Sequence, residues 1–547
     1  MKTGSKGTTF SRRRALKSAG VLGAATMIGC EPGDEAPIDA STQMGSDASA
    51  PDAGPRGRDA GPAPTGAFQH GVASGDPLAD AVILWTRVTT DGTSAIALTW
   101  EVARDASFAT IDASGDVSAD PARDFTAKVD ATGLMPATTY FYRFRVVDGG
   151  ETSPVGRTRT APASDAEIAR LRFAVCSCSN YAFGYFHAYR NIAQRADLDA
   201  VLHLGDYIYE YGTGEYGSFR ECDPPHEITT LEDYRRRYRQ YRSDSDLQEA
   251  HRQHPFVNVW DDHESADNSW RDGANNHDES EGAWAARKAA AQQAFDEWLP
   301  IRTATEGPSR IWRALRYGAL AELVMLDTRI EGRSEQGVGE ADARTLISNE
   351  QEAFLIERLT TTDAQWKVIG QQVMFSPLPV LANTDQWDGY PASRRRVLDA
   401  IRGDGERDPV RDVVVLTGDI HTAWACEVVE DPSASPLPPA DAVEFVAAGI
   451  SSPPMSPPGG PLERGILRTI AERAPHIKYV DLSHRGYFVL DLSPARAHAT
   501  YVQIVDVEAP YDISEVEITA WETATGTHRL VETEPASPPD GAPPLAP

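Results

Sequence analysis

The stretch His203-Leu204-Gly205-Asp206-Tyr207-Ile208-Tyr209 decides how this chain is read. Residues 199–204, with Val201, Leu202 and Leu204, form an apolar run that reads as a short buried strand. Gly205 lets the backbone turn, and Asp206 emerges at the strand's carboxyl end, where open α/β sheets collect their ligands. Tyr209 follows closely enough for its phenol oxygen to share a cation with the Asp206 carboxylate. Oxygen donors of this kind suit a trivalent ion such as ferric iron. Alone, a Gly-Asp-x-x-Tyr reads equally well as a loop aspartate capping the next helix beside a packed tyrosine.

Other apolar runs end in the same way. Residues 171–177 lead into Cys178, 256–260 into Asp261-Asp262-His263-Glu264, and 413–417 into Gly418-Asp419-Ile420-His421. A folded sheet brings such ends together. Carboxylates gathered there imply bound cations, because buried uncompensated charge is costly. From residue 171 onward strands alternate with helical patterns, the mark of an α/β sandwich. Thr229 with Glu232 predicts a capping box before a helix that buries Tyr234, Tyr238 and Tyr241 and leaves Arg235, Arg236, Arg237 and Arg239 to solvent. Ser348 with Gln351 predicts a second cap. Gln371-Gln372 closes a fifth strand, where an amide oxygen can join the site, and late strands at 487–492 and 499–504 make the sheet mixed.

Residues 67–163 read as all-β, with turns at Ala79-Asp80 and Asp91-Gly92 and alternating strands at 82–88 and 96–102. Leu134-Met135-Pro136-Ala137-Thr138-Thr139-Tyr140 resembles the Leu-x-Pro-x-Thr-x-Tyr passage of fibronectin-type sandwiches, so a small structural β-sandwich is expected. His70 and Asp76, in Gln69-His70-Gly71-Val72-Ala73-Ser74-Gly75-Asp76-Pro77, are expected to belong to a turn-rich lead-in strand rather than to chemistry.

The two ends differ in composition. Residues 1–30 carry Ser11-Arg12-Arg13-Arg14, resembling a twin-arginine export signal, then an apolar run too short to span a bilayer. Met27-Ile28-Gly29-Cys30 resembles a lipobox; Cys30 is either lipidated, anchoring the chain, or the segment is cleaved and the protein released. Residues 31–66 are rich in Asp, Ala, Pro, Gly and Ser without an aromatic side chain, which predicts a disordered tether. The Pro-rich tail at 531–547 is expected to be disordered too, so the catalytic body spans 168–530. A formal net charge of −29 argues against a nucleic-acid-binding surface, and a phosphate substrate must then be attracted locally, by metals and arginines. Five cysteines are too few for a disulfide scaffold, and the pairing of Cys176, Cys222 and Cys426 is open.

Taken in order, Cys178, Gly205-Asp206-Tyr207-Ile208-Tyr209, Trp260-Asp261-Asp262-His263-Glu264, Gly370-Gln371-Gln372-Val373-Met374 and Gly418-Asp419-Ile420-His421 resemble the alkaline phosphatase D (PhoD-like) family of calcineurin-like metallophosphoesterases. Leu84-Trp85-Thr86-Arg87, Leu326-Asp327-Thr328-Arg329 and Trp387-Asp388-Gly389-Tyr390 extend the resemblance. It implies an αββα-type sandwich with mixed sheets behind the small β-sandwich, and an exported, periplasmic or cell-surface monomer that hydrolyses phosphoesters. It further implies Fe3+ held by Cys178, Asp206, Tyr209 and His421, and Ca2+ held by Asp262 and Asp419 with Asp206 bridging. Cys176 competes with Cys178 for the thiolate position; the spacing to Gly184-Tyr185-Phe186 favours Cys178. Gln372 stands near where wider relatives carry another histidine. His263 is expected either to protonate the leaving group or to orient Asp262, and Asn268 to meet a phosphate oxygen, although many relatives carry paired asparagines where this chain has Asp267-Asn268. Two rivals stand beside this reading: a diesterase for lipids or wall polymers using the same site, and a non-enzymatic calcium-binding surface protein.

Overall fold

Strand Val413–Thr417 shows how the layers are built. Its residues alternate between two cores. Val414 and Leu416 enter the core shared with the facing sheet, while Val413 and Val415 enter a second core with helices Asn349–Thr361 and Pro391–Arg402. A strand buried on both faces is continuously apolar, which is why the sequence shows a run rather than an alternation. Across the inter-sheet core, Phe445 meets Phe488 with ring centroids 6.2 Å apart.

The computed structural model describes residues 66–303, 310–379, 383–509 and 514–547. The export segment, Cys30 and the tether up to residue 65 lie outside the described residues. One sheet has ten strands, in the order Leu530–Thr533, Glu515–Ala524, Arg496–Ile504, Arg485–Leu492, Leu171–Cys176, Ala200–His203, Pro255–Asn258, Val72–Gly75, Ala81–Arg87 and Thr126–Thr132. The other has seven: Arg313–Tyr317, Ala321–Met325, Trp366–Gly370, Val413–Thr417, Ala442–Val446, Ala423–Val428 and Ile477–Asp481. Both are mixed, with parallel centres and antiparallel edges. Helices His187–Ala193, Leu231–Arg242, Ser245–Gln253 and Trp284–Trp298 join the core of the ten-stranded sheet, completing an αββα order of layers. Among the described residues no helix is long and apolar enough to cross a membrane.

The small sandwich forms as expected, but it is not closed off from the rest. Ala113–Ala119, Ile96–Ala103, Thr139–Val146 and Gly156–Arg159 make its outer sheet. Its inner strands continue the ten-stranded sheet, because Val72–Gly75 pairs in parallel with Pro255–Asn258. Within it the Met135 amide donates to the Tyr140 phenol at 2.9 Å, a tyrosine corner of the kind found in such sandwiches. His70 and Asp76 are buried struts: His70 packs edge-on against Trp298, and Asp76 accepts from the Arg302 amide at 2.7 Å and pairs with Arg313.

Three details depart from expectation, and one open question is answered. The capping box of Leu231–Arg242 uses Thr230 and Asp233, one residue later than Thr229 and Glu232; two overlapping Thr-x-x-acid pairs are present, and the fold selects between them. Tyr234, Tyr238 and Tyr241 are buried on that helix, but its arginines are not a solvated face. Arg235 pairs with Glu297, Arg239 with Asp124, and Arg237 is fully buried, donating to the carbonyls of Tyr209, Tyr211 and Pro224. Those loop carbonyls have no strand partner and need a donor that reaches them. The C-terminal tail is also packed: the Gln253 amide exchanges hydrogen bonds with both backbone groups of Ala546, and Arg252 donates to Pro547 at 2.8 Å. Proline-rich segments lose little side-chain entropy on ordering, so a few contacts suffice. Finally, Cys176, Cys178, Cys222 and Cys426 are all free and buried.

Candidate metal centre

Parallel strands from both sheets deliver their carboxyl ends to one place, and the sheets touch there. A side chain at Gly418 would lie 2.9 Å from the Ser177 side chain, and Ser177 itself bridges to Gly449. Glu264 ties two of the ends together: its oxygens accept from the amides of Asp206 at 3.1 Å, Tyr207 at 2.6 Å and Asp261 at 2.7 Å. Cys178, Asp206, Asp419 and His421 have φ of 60°, 56°, 63° and 57°. Non-glycine residues seldom occupy this region, and such strain collects at functional sites. Gly205 has φ of +108°, and a Cβ there would stand 2.4 Å from that of Asp261. Gly205→Ala is therefore expected to cost about 3 kcal/mol and to lower metal content, read by unfolding and elemental analysis; a variant as stable and as metal-rich as the parent would show that the turn tolerates a side chain.

Cys178, Asp206 and His421 present ligand atoms within 4.8 Å of one another, as do Asp206, Asp262 and His263, and Asp261, Asp262 and Asp419. Tyr209 Oη lies 3.0 Å from Asp206 Oδ2 and 3.1 Å from His421 Nε2. Asp206 thus belongs to two groups, the position a bridging ligand takes. Cys176 remains inside the strand, buried and apart from all three groups.

The donor set fits cations. Asp206 Oδ1 and Asp261 Oδ2 are buried without a hydrogen-bond donor. Burial, reinforced by the neighbouring Asp206 charge, pushes the Cys178 thiol and the Tyr209 phenol well above their ordinary values. Burial also drives Asp206 far up and Asp419 up to about 7. A cation among these groups would lower every one of them.

One protein cation is already there. Arg329 is fully buried and pairs with Asp261, Asp385, Asp419 and, at 3.5 Å, Asp262. Although burial opposes ionisation, Arg329 and His263 hold Asp262 down at about 2. Gln372 supports this arrangement: its oxygen accepts from the Thr328 amide at 2.9 Å and hydroxyl at 2.6 Å, and its nitrogen donates to Leu326. Gln371 bonds Trp387, Thr417 and the Val373 carbonyl. Both amides are engaged in bracing the loops behind them.

His263 stacks on Tyr209 at 4.2 Å, and its Nδ1 lies 2.7 Å from Glu210 Oε2, while Nε2 has no hydrogen-bond partner among the described residues. Burial opposes its charge, but Asp262, Glu210 and Asp206 prevail and raise its pKa well above 6.5. Asn268 differs from expectation. Its backbone amide donates to Asp262 at 2.6 Å, and its side chain, in the orientation that satisfies both ends, donates to Asp385 at 3.1 Å and accepts from Asn275 at 2.9 Å. That amide orders carboxylates rather than facing an open site.

Sequence reading passed over Glu210, Asp385 and Ser452, and quoted Arg329 without giving it a role. Glu210 directly follows Tyr209 and was open to suspicion on that ground; Asp385 and Ser452 stand in loops with no local signal. The model of the PhoD-like phosphatases matches residues 173–501, and that of the PhoD-like phosphatase N-terminal domain matches residues 55–162. Alkaline phosphatase D of Bacillus subtilis (strain 168) is 38% identical over 467 residues, 79% of this chain and 77% of that one. The solved structure of PhoD superposes with a TM-score of 0.79 at 35% identity, covering 88% of this chain and 95% of that one.

Proposed function

Because the chain belongs to the PhoD-like phosphatase family and is therefore a phosphoesterase, we propose that it hydrolyses phosphate monoesters and diesters at an iron–calcium centre after export. The observation that carries the metal reading is Asp206, whose buried Oδ1 lacks any donor while its side chain belongs to two ligand groups at once. Cys178, Asp206, Tyr209 and His421 would hold Fe3+, since a thiol, a phenol and a carboxylate suit a trivalent ion; Asp206, Asp262 and Asp419 would hold Ca2+, which prefers carboxylate oxygens. When bound, these ions supply Lewis acidity toward phosphate oxygens and toward an attacking water. The protein's own part is orientation and proton delivery. Glu210 fixes the His263 ring through Nδ1, leaving Nε2 to give a proton to the leaving alkoxide. Glu264 fixes the ligand-bearing turns by three backbone hydrogen bonds. Membership of the family sets aside the non-enzymatic surface binder.

Purified protein loaded with iron and calcium is expected to release nitrophenol from both 4-nitrophenyl phosphate and its bis-ester; the ratio of the two rates separates a monoesterase from a diesterase. Inactivity toward both would overturn the reading. Export is proposed on Arg12-Arg13 and Cys30. Arg12→Lys with Arg13→Lys should retain the precursor in the cytoplasm, and Cys30→Ala should move the exported protein from the membrane fraction to the soluble one. Normal export of the double-lysine form would point to the general secretory route.

A further inference from the structure

Arginines in this acidic chain are commonly matched by carboxylates: Arg87 by Asp124, Arg220 by Asp244, Arg287 by Glu227. Arg485 is different. Its Nε donates to the carbonyls of Ser451 at 2.8 Å and Ser452 at 3.0 Å. No carboxylate of the described residues lies within ion-pair distance of it, although the charges of Glu508 and Asp506 reach it, and neither Nη group has a hydrogen-bond partner among the described residues. Arg485 is half-buried, so this free end of the guanidinium is neither lost in the core nor loose in solvent.

Its anchor places it at the metal centre. Ser452, which accepts from Arg485, turns its hydroxyl to the Tyr209 phenol at 2.7 Å and to the Cys178 carbonyl at 2.9 Å. The Ser452 amide donates to that same carbonyl at 3.2 Å. One residue thus joins Arg485 to two of the six residues expected to hold metal. Tyr216 closes the neighbouring side, with its ring 6.0 Å from Tyr209 and 6.2 Å from His263, and it too is half-exposed.

We propose that Arg485 binds a second phosphate group of the substrate, one carried beside the scissile phosphoester. The proposal rests on the phosphoesterase reading above and adds a substrate class to it. A guanidinium held through Nε by two carbonyls presents its remaining N–H groups as a preformed fork, the geometry that suits phosphate oxygens. A cation that forms no direct ion pair with a described carboxylate, at the edge of a site otherwise crowded with carboxylates, is placed where a polyanionic substrate would otherwise be repelled. The second phosphate can be the terminal group of a bisphosphorylated molecule or the next diester of a polymer.

The test uses the full-length holoenzyme and 4-nitrophenyl esters of thymidine 5′-phosphate bearing a 3′-hydroxyl, a 3′-phosphate or a 3′-methyl phosphate. All three release the same chromophore from the same bond. The parent should favour one or both charged forms through KM, and the form it favours tells a terminal phosphate from an internal diester. Arg485→Gln should shrink that preference about 10- to 100-fold, and Arg485→Lys should fall between. Because the readout is a ratio within one preparation, a general loss of fold cancels. An unchanged preference, or an equal loss on all three esters, would overturn the proposal while leaving the phosphoesterase reading intact. Turnover of none of them by a parent that still hydrolyses 4-nitrophenyl phosphate would overturn the proposal alone, and inactivity toward that monoester as well would overturn both.

Discussion

Replacing Arg329 with methionine is expected to lower the melting temperature of the metal-free protein by roughly 4 °C, corresponding to about 4 kcal/mol. Arg329 is wholly buried and faces Asp261, Asp262, Asp385 and Asp419. Removing one member of a buried ion pair leaves its partner uncompensated, which is the costly case. Here four partners are left. Methionine keeps the volume and apolar stem of arginine, so the loss reports charge rather than a cavity. Added calcium should recover part of the loss, since an ion that binds only the folded state stabilises it in proportion to its occupancy. Equal melting of variant and parent in chelator would sink the role of Arg329 as built-in counter-ion.

Loss of individual ligands should divide into two classes. His421→Ala is expected to lower turnover more than about 1,000-fold, roughly 4 kcal/mol of barrier, at every calcium concentration, and to lose iron. Its imidazole lies 3.1 Å from the Tyr209 phenol, in the group read as the iron site. Asp262→Asn keeps an oxygen in place but removes a charge from the group of Asp261, Asp262 and Asp419. Calcium affinity follows the number of charged oxygens, so activity should return in part at raised calcium, with iron content unchanged. Absorption spectra give the second readout: a ferric phenolate absorbs in the visible, and Tyr209→Phe should weaken or shift the band. If Asp262→Asn bleaches that band while calcium rescues His421→Ala, the two sites have been interchanged.

Much of the architecture was legible without coordinates because its causes are local or periodic. Apolar runs ending in Cys178, Asp206, Asp262 and Asp419 marked strands buried on both faces, and the parallel arrangement of such strands requires their ends to converge. The Leu-x-Pro-x-Thr-x-Tyr passage marked the small sandwich, whose corner is closed by a hydrogen bond between Tyr140 and Met135. Ser348 capped its helix through Gln351 as its spacing implied.

What remained hidden depends on partners far apart in the chain. The arginines of Leu231–Arg242 looked like a solvated face, yet Arg237 is drawn inward by the carbonyls of the 209–211 turn, whose lack of strand partners no local pattern reveals. Gln371 and Gln372 looked available as ligands until Trp387, Thr417 and Thr328 claimed their amides. Arg329 stood in a quoted motif, but only the folded chain sets it between carboxylates 56 to 90 positions away. The order of side chains along a strand is written in the sequence, because backbone geometry alone sets its period. Which charge neutralises which is settled only by packing, because electrostatic energy depends on distance and burial that exist once the sheets have met.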